Sequence, residues 1–287
     1  MRLVTVLEDG QQRAAALVEQ NVVDLQRADP RLPSTVVGLL RGGPAALERA
    51  RELVQTPPPE ATKPRSAVKL LAPIPRPPKI VCIGVNYADH AAEAGRGLPT
   101  KTSVFLKAPS CVVGPGERIV RPSTTQQLDY EIELAVVIGQ TARRVTEEQA
   151  VACVAGYTIL NDVSARDLQR SPDGGIIVGK NFDTSAPMGP FVALVDEVPD
   201  AGNLRLRTWV NDQLRQDGTT HNLIFGVPSI VSFLSQQLTL EPGDVIATGT
   251  PSGVGLGMKP QVWLQPGDRI RMEIDRLGVL ENEVTEA

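Results

Sequence analysis

The segment "LDYEIELAVVIG", residues 128–139, constrains the fold more than any other part of this sequence. On a strand, alternate side chains point to opposite faces. Every second residue from Ile132 to Ile138 is aliphatic, and the opposite face becomes apolar directly after Glu133. The segment therefore predicts a strand that is buried on both faces, with Glu131 and Glu133 at its entrance.

The rest of the chain predicts a strand-rich α+β fold. Short apolar runs typical of strands recur from residue 79 onwards, whereas residues 146–155 and 227–237 have helical patterns with plausible N-terminal caps. Strands do not alternate regularly with long helices, as a doubly wound parallel sheet would require.

The N-terminal region looks like a separate small unit. Residues 1–55 contain three strand-like runs and two short helical patterns, and the proline-rich residues 56–67 are typical of a linker or an extended crossing segment. We predict a small N-terminal α/β domain at residues 1–70 and a larger domain at residues 71–287.

Composition excludes several function classes. The formal net charge is −4 and no Lys/Arg-rich run occurs, which argues against nucleic-acid binding. No apolar run approaches the roughly 18 residues of a membrane span, and Glu8 and Asp9 interrupt any signal peptide. Cys82, Cys111 and Cys153 are few and widely spaced, which predicts a reducing, cytoplasmic environment.

The two glutamates at the start of this strand are candidates for a metal site. Glu131 and Glu133 would be rooted about 6.6 Å apart on one strand face. Two charges at that distance repel by roughly 0.6 kcal/mol in water and by about 2.5 kcal/mol at an effective dielectric near 20. A solvated strand face would tolerate the smaller cost, but a strand that continues into the core favours a cation between the carboxylates.

A third acid, Asp162, ends the strand-like segment "GYTILND". Together with Glu131 and Glu133 it would form an oxygen-ligand site for Mg²⁺ or Mn²⁺, with Ca²⁺ as a further fit. With only two histidines in the chain, oxygen ligands are the expected donors. An ordinary Asn-Asp turn or helix cap is the alternative for Asp162, because spacing alone does not bring it to the glutamates.

These segments and several others resemble the fumarylacetoacetate hydrolase superfamily, particularly bacterial acylpyruvate hydrolases and 2-hydroxyhepta-2,4-diene-1,7-dioate isomerases. Their order and spacing agree from about residue 72 to the C-terminus. The matching segments are "IVCIGVNYADHAAEAG", "FLKAPSCVVGPGE", "LDYEIELAVVIG", "GYTILNDVSARDLQ", "GKNFDTSAPMGP", "VNDQLRQDGTT", "PGDVIATGTPSGVG" and "PGDRIRMEI".

The resemblance implies rolled, mixed β-sheets with few helices, a homodimer, and one divalent cation held by Glu131, Glu133 and Asp162. It also implies that His90 and Glu93 form a dyad that activates water. Three residues apart on a helical turn, the two side chains can touch, although an incidental pair on an exposed helix is the alternative. The following "GRGLP", residues 95–99, is expected to be a mobile lid.

The remaining candidates come from three other motifs. Lys180 matches the active-site lysine of the family and would neutralise developing negative charge, a surface lysine being the alternative. Arg166 would clamp a substrate carboxylate or pair with Asp162 or Asp129, and the structural pairing is slightly favoured. The residues expected to bind substrate are Tyr87, Arg166, Gln169 and Thr250.

The loop "GTPSGVG", residues 249–255, lacks the spacing of a Walker A motif, a dinucleotide fingerprint or a nucleophile elbow. The resemblance implies that its threonine and backbone amides hold a substrate carboxylate, whereas a plain turn is the alternative. Near Lys180, the chain has Asn181 and Ser185 where many relatives have serine and phenylalanine. These two changes are expected to alter the size or polarity of the pocket.

The resemblance implies hydrolysis of a C–C bond in an acylpyruvate or a related β-diketo acid. Water activated by His90 would attack the distal carbonyl, Lys180 and Gln169 would stabilise the oxyanion, and a pyruvate enolate held by the metal would leave. Two alternatives use the same metal site: isomerisation of a 2-hydroxy-dienedioate and decarboxylation of a β-keto acid such as oxaloacetate. A non-catalytic protein that binds a metal and a 2-oxo acid is the third alternative.

Overall fold

The computed structural model describes residues 1–95 and 97–287. Within them the chain forms nineteen strands and eight α-helices. The strands are β1 Arg2–Glu8, β2 Gln11–Val18, β3 Asn21–Asp24, β4 Thr62–Pro64, β5 Lys69–Leu71, β6 Ile80–Gly84, β7 Ser103–Lys107, β8 Val112–Val113, β9 Arg118–Arg121, β10 Leu128–Asp129, β11 Ile132–Ile138, β12 Val154–Asn161, β13 Ser164–Ala165, β14 Ala186–Leu194, β15 Arg205–Val210, β16 Gln213–Thr219, β17 Val245–Ala247, β18 Arg269–Ile274 and β19 Gly278–Glu286. The helices are α1 Leu25–Ala28, α2 Val36–Arg41, α3 Gly43–Gln55, α4 Ala88–Glu93, α5 Glu147–Cys153, α6 Arg166–Arg170, α7 Ile176–Lys180 and α8 Val227–Gln237.

The strands form two large mixed sheets and one short ribbon. Twelve strands make the first sheet, in the order β4-β3-β2-β1-β14-β12-β11-β17-β6-β7, with β5 paired to β1 and β8 paired to β14. Five strands make the second sheet, in the order β16-β15-β18-β19-β9, and β10 pairs with β13. Both large sheets combine parallel and antiparallel pairs. The predicted strand-rich α+β class is confirmed.

The strand predicted to be buried on both faces lies inside the twelve-stranded sheet. All seven residues of β11 are buried, and β11 pairs with β12 on one side and β17 on the other. Its two faces pack into two separate apolar clusters: Leu134 belongs to one cluster and Ala135 to the other. At Gly156 of β12 a Cβ would lie 2.1 Å from the carbonyl oxygen of Ala193, so only glycine permits this approach to β14.

The predicted N-terminal elements are present, with ends that differ by a few residues. The second of the two helical patterns in residues 1–55, "GPAALERARELVQ", forms α3 over its whole length, with Pro44 in the first turn. The predicted crossing segment contains β4, which pairs with β3. Because β1 also pairs with β14, the N-terminal strands continue the large sheet, and the division at residue 70 stays a prediction.

Both predicted helices of the larger domain form, and additional short elements accompany them. Thr146 caps α5 in a reciprocal capping box with Gln149. The strands β16 and β19 and the helix α7 fall in segments that sequence patterns did not assign to elements. No helix in the described chain has both the length and the apolar composition that crossing a bilayer requires. The predicted lid includes Arg96, which lies outside the described residues.

Candidate active site

The pairing of β11 with β12 brings the predicted acids together. These strands are antiparallel, with Ile132 opposite Asn161, so the residue before β11 lies next to the residue after β12. Those residues are Glu131 and Asp162, and the Asp162 backbone N–H donates to the Glu131 carbonyl at 2.9 Å. The long-range contact that spacing alone left open therefore exists.

Glu131, Glu133 and Asp162 form one buried cluster. Each offers a carboxylate oxygen, and these oxygens all lie within 4.8 Å of one another. Glu131 is 6% exposed and Glu133 only 2% exposed, so the alternative of a solvated strand face is wrong. Glu133 also accepts a hydrogen bond of 2.7 Å from the backbone N–H of Gly249. The donor set is hard and anionic, which is the chemistry that Mg²⁺ and Mn²⁺ prefer.

Two buried lysines contact the cluster. Lys180 Nζ donates to Glu131 Oε2 at 2.8 Å and to Asp162 Oδ2 at 2.5 Å. Lys107 Nζ donates to the other Asp162 oxygen at 2.8 Å. Lys180 is 3% exposed, which contradicts the surface-lysine alternative.

Arg166 is anchored by two carboxylates. Its Nε donates to Asp129 Oδ2 at 2.9 Å, and its Nη2 donates to Glu131 Oε1 at 2.5 Å. The partner in the cluster is therefore Glu131 and not Asp162. Nη1 donates to Gln169 Oε1 at 3.2 Å. Arg166 thus fixes the glutamate and the glutamine, which fits the structural pairing that the sequence slightly favoured.

The cluster divides its charge unevenly. Burial alone would raise the pKa of Glu131, but the Lys180 ammonium and the Arg166 guanidinium lower it below its ordinary value. Burial raises the pKa of Glu133 well above its ordinary value, and the Asp162 and Glu131 carboxylates raise it further. Burial would lower the pKa of Lys180, but the Asp162 and Glu131 carboxylates raise it above its ordinary value. Glu133 is therefore the carboxylate that has too little positive charge beside it.

His90 and Glu93 lie on α4 and form the predicted pair. His90 Nδ1 lies 3.1 Å from Glu93 Oε2. An ionised carboxylate only accepts hydrogen bonds, so a neutral imidazole in this contact carries its proton on Nδ1 and presents Nε2 as a base. The other Glu93 oxygen accepts from the Gly253 backbone N–H at 2.9 Å, so Glu93 is itself held in place. His90 borders the cleft that contains the carboxylate cluster, which contradicts an incidental pair on an exposed helix.

The cluster lies in a cleft of about 510 Å³. Gln169 and Thr250 line this cleft, and Thr250 Oγ1 accepts from Gln216 Nε2 at 2.8 Å. Tyr87 does not line it: the side chain is fully buried, and burial is the main cause that raises the pKa of its hydroxyl. A list of further lining residues is Ser103, Phe105, Arg170, Ile176 and Leu256.

The glycine-rich loop that follows β17 donates its amides to protein carboxylates. The Gly249 N–H goes to Glu133, the Gly253 N–H to Glu93 and the Gly255 N–H to Asp129. These three amides are therefore already bonded to protein carboxylates. The resemblance had implied instead that backbone amides of this loop hold a substrate carboxylate. The loop positions acidic side chains, which a plain turn would not do.

Several residues of the site were missed by sequence reasoning. Lys107 ends an edge strand and looks like an ordinary surface lysine in the sequence. Gln216 lies in the polar run "QLRQDGT", yet it is fully buried and accepts from the Ile132 backbone N–H at 3.1 Å. Asn161 Oδ1 similarly accepts from the Glu131 N–H at 3.1 Å. The only available signal was the position of Lys107 and Asn161 at the ends of strands.

The two unusual residues near Lys180 do not line the cleft. Asn181 donates to the carbonyls of Leu106 and Ile177 at 3.0 Å, and Ser185 Oγ donates to the Lys180 carbonyl at 3.1 Å. Both side chains secure the backbone around the lysine. The expected direct change in pocket size or polarity is therefore not found at these residues.

Comparisons with known proteins agree with the resemblance seen in the sequence. The family model for the fumarylacetoacetate (FAA) hydrolase C-terminal region matches residues 79–285. Oxaloacetate tautomerase FAHD2B, mitochondrial, from Bos taurus is 43% identical over 264 residues, covering 92% of this chain and 83% of that protein. Oxaloacetate tautomerase YisK from Bacillus subtilis (strain 168) is 41% identical over 286 residues, covering 93% of each.

A solved structure shares the whole fold. Maleylpyruvate hydrolase from Sphingobium sp. SYK-6, crystallised with manganese(II) and pyruvate, superposes with a TM-score of 0.82. It is 33% identical, and the match covers 100% of both chains. The fold implied by the sequence resemblance is thereby confirmed.

Proposed function

Because this chain belongs to the fumarylacetoacetate hydrolase family, we propose that it is a divalent-metal-dependent enzyme that interconverts the keto and enol forms of a small 2-oxo diacid of the oxaloacetate type. The observation that carries the proposal is the cluster of Glu131, Glu133 and Asp162 inside the cleft. Curated relatives above 40% identity that are named oxaloacetate tautomerases support this reaction over the others.

The cluster fits a divalent cation on its own chemistry. Three buried carboxylates lie within 4.8 Å of one another. Burial raises the pKa of Glu133, and the Asp162 and Glu131 carboxylates raise it further; a cation between the three groups would offset both effects. We propose Glu131, Glu133 and Asp162 as the ligands and Mg²⁺ or Mn²⁺ as the ion; the manganese in the maleylpyruvate hydrolase structure supports the choice. When bound, the ion would supply Lewis-acid stabilisation of negative charge on the substrate oxygens.

The protein side chains would move the proton. His90 Nε2 takes a proton from C3 of the 2-oxo acid, the C–H electron pair becomes the C2–C3 double bond, and the carbonyl pair moves to oxygen. His90 then returns the proton to that oxygen, so the atoms balance without a co-reactant. Glu93 keeps Nδ1 protonated throughout and orients the ring. Lys180 keeps a positive charge beside the developing enolate.

Gln169 and Thr250 remain the proposed substrate-binding residues, because both line the cleft near the cluster. Arg166 would contribute mainly by holding Glu131 and Gln169. Tyr87 would act only through packing, since it is buried away from the cleft wall.

Hydrolysis of a C–C bond in an acylpyruvate is a second candidate. The specific observation is the His90–Glu93 pair at the cleft, which suits activation of a water molecule as well as proton abstraction from carbon. The likeness to maleylpyruvate hydrolase supports it. Isomerisation of a dienedioate or decarboxylation would use the same residues.

The test is to follow the enol form of oxaloacetate by its ultraviolet absorbance with Mn²⁺ and again with excess EDTA. We expect metal-dependent acceleration in both directions and no acceleration by the Glu133→Ala variant. Parallel incubations of acetylpyruvate and maleylpyruvate in ¹⁸O-labelled water distinguish hydrolysis, which places label in the second acid product. If ¹⁸O enters that acid and the interconversion of the oxaloacetate keto and enol forms is not accelerated, the hydrolase replaces the tautomerase as the proposed function. No metal-dependent change with any of these substrates would overturn both.

We further propose a homodimer in the cytoplasm. The resemblance supports the dimer, and three free, buried cysteines suit a reducing compartment. Sedimentation equilibrium measurements would test the dimer.

A further inference from the structure

One arginine of the cleft is not used by the carboxylate cluster. Arg170 ends α6, is exposed, and lines the cleft beside Gln169. Within residues 1–95 and 97–287, its side chain has no hydrogen-bond or ion-pair partner, whereas Arg166 on the same helix has two carboxylate partners. A cation at a cleft wall without a protein partner can bind an anionic ligand.

The cations beside the carboxylate cluster are already paired. Lys180 contacts two carboxylates, and so does Arg166. Lys107 contacts one carboxylate. A second substrate carboxylate would therefore find its positive partner elsewhere in the cleft. Among the described lining residues, Arg170 is the guanidinium or ammonium group that remains for this contact.

The spacing along α6 suits a short diacid. Arg166 and Arg170 are four residues apart, so they share a helix face and are offset by about 6 Å along the axis. Arg166 reaches the cluster, where the 2-oxo acid end would lie, and Arg170 lies one turn beyond it. That offset is comparable with the length of a short dicarboxylic acid.

We propose that Arg170 is a specificity-determining residue that binds the distal carboxylate of a 2-oxo diacid. The inference rests on the proposed function and deepens it, because it names the residue that would bind the second carboxylate of the 2-oxo diacid. It does not depend on whether the reaction is tautomerisation or hydrolysis. It requires only that the 2-oxo acid end lies at the cluster.

The test compares binding of two five-carbon acids to the Mn²⁺-loaded full chain by isothermal titration calorimetry. 2-Oxoglutarate carries a distal carboxylate, and 2-oxovalerate has a methyl group in its place. For Arg170→Gln we expect roughly tenfold weaker binding of 2-oxoglutarate, from loss of a charge-assisted hydrogen bond. Binding of 2-oxovalerate should change less than twofold, and Arg170→Lys should restore part of the affinity for the diacid.

The matched control is Arg118→Gln, an exposed arginine on β9 that does not line the cleft. It should leave both affinities unchanged. Kinetics with oxaloacetate should show a raised KM and a nearly constant kcat for Arg170→Gln. This KM-against-kcat split would not arise from a general structural defect.

The proposal is overturned if the wild-type chain binds the two acids equally or binds neither. It is also overturned if Arg170→Gln weakens both acids alike. Failure of the proposed function gives a different result: oxaloacetate tautomerisation would be absent, while the preference for 2-oxoglutarate and its dependence on Arg170 would persist.

Discussion

Replacing Glu133 with glutamine should stabilise the metal-free protein and abolish its metal binding. Glu133 is the cluster residue whose pKa is raised, first by burial and then by the Asp162 and Glu131 carboxylates. Its folded-state pKa exceeds its unfolded-state value, so the proton stabilises the fold at low pH. That contribution is lost as pH rises from the ordinary glutamate pKa of about 4.3 through the raised value. Glutamine is isosteric and cannot ionise, so it should remove this loss.

The magnitude follows from the distances between the carboxylates. One Glu133 oxygen lies within 4.8 Å of oxygens of both Glu131 and Asp162. At that distance a like-charge pair costs about 3.5 kcal/mol at an effective dielectric near 20. Lys180 offsets part of the two repulsions, so we expect a net gain of about 3 kcal/mol for Glu133→Gln once the wild-type carboxyl would be ionised. At roughly 2–4 °C per kcal/mol, Tm would rise by about 6–12 °C.

Thermal unfolding in EDTA between pH 4 and pH 8.5 measures the effect. The difference between variant and wild type should be near zero at the acidic end and grow with pH, and calorimetric titration with Mn²⁺ should detect no binding to the variant. The control is Glu60→Gln, at an exposed glutamate without an ion-pair partner in the described chain. A variant that is no more stable than wild type at pH 8, or one that binds Mn²⁺ with wild-type affinity, would refute the reasoning.

Three further predictions concern the surroundings of the cluster. His90→Ala should lower kcat by about 10²–10⁴-fold in steady-state assays with KM nearly unchanged. A variant that keeps the wild-type kcat would show that His90 is not the base. Lys107→Met should lower the free energy of unfolding by about 1.5–3 kcal/mol in urea titrations, because it removes one of the two ammonium groups that contact the buried Asp162 carboxylate; an unchanged midpoint would contradict this. In Gly179→Ala the new Cβ would lie 2.5 Å from the Gln169 Cβ, which should displace α6 and lower kcat/KM by at least about tenfold. In the control Gly226→Ala the new Cβ would lie no closer than 3.9 Å to a neighbour, Pro228 Cδ, so this variant should retain activity.

The sequence predicted the carboxylate cluster because local rules determine most of its geometry. Alternation along β11 places Glu131 and Glu133 on one face, and apolar residues on both faces predict burial. The antiparallel pairing with β12 then adds Asp162. Only this last step required long-range information, and the family resemblance supplied it.

The cations and the polar contacts behind the cluster could not be predicted in this way. Lys107 meets Asp162 across 55 residues of sequence. Gln216 is buried because β16 pairs with β15 and because its amide bonds to Ile132 and Thr250. Hydropathy assigns a polar run to the surface, whereas here satisfied hydrogen bonds make burial of a polar side chain affordable.

The glycine-rich loop links these separately predicted parts into one site. Its amides fix Glu133 of the cluster, Glu93 behind the base, and Asp129 behind Arg166. Each of these is a hydrogen bond from a backbone N–H group to a side-chain carboxyl group, so one short segment holds the three side chains in fixed relative positions. A Cβ at position 253 would lie 2.1 Å from a backbone carbonyl oxygen on β16, which explains why glycine occupies this position of the loop. Because Glu133, one of the proposed metal ligands, and Glu93, which orients the proposed base, are held by the same short segment, distortion of that loop should impair metal binding and proton transfer together.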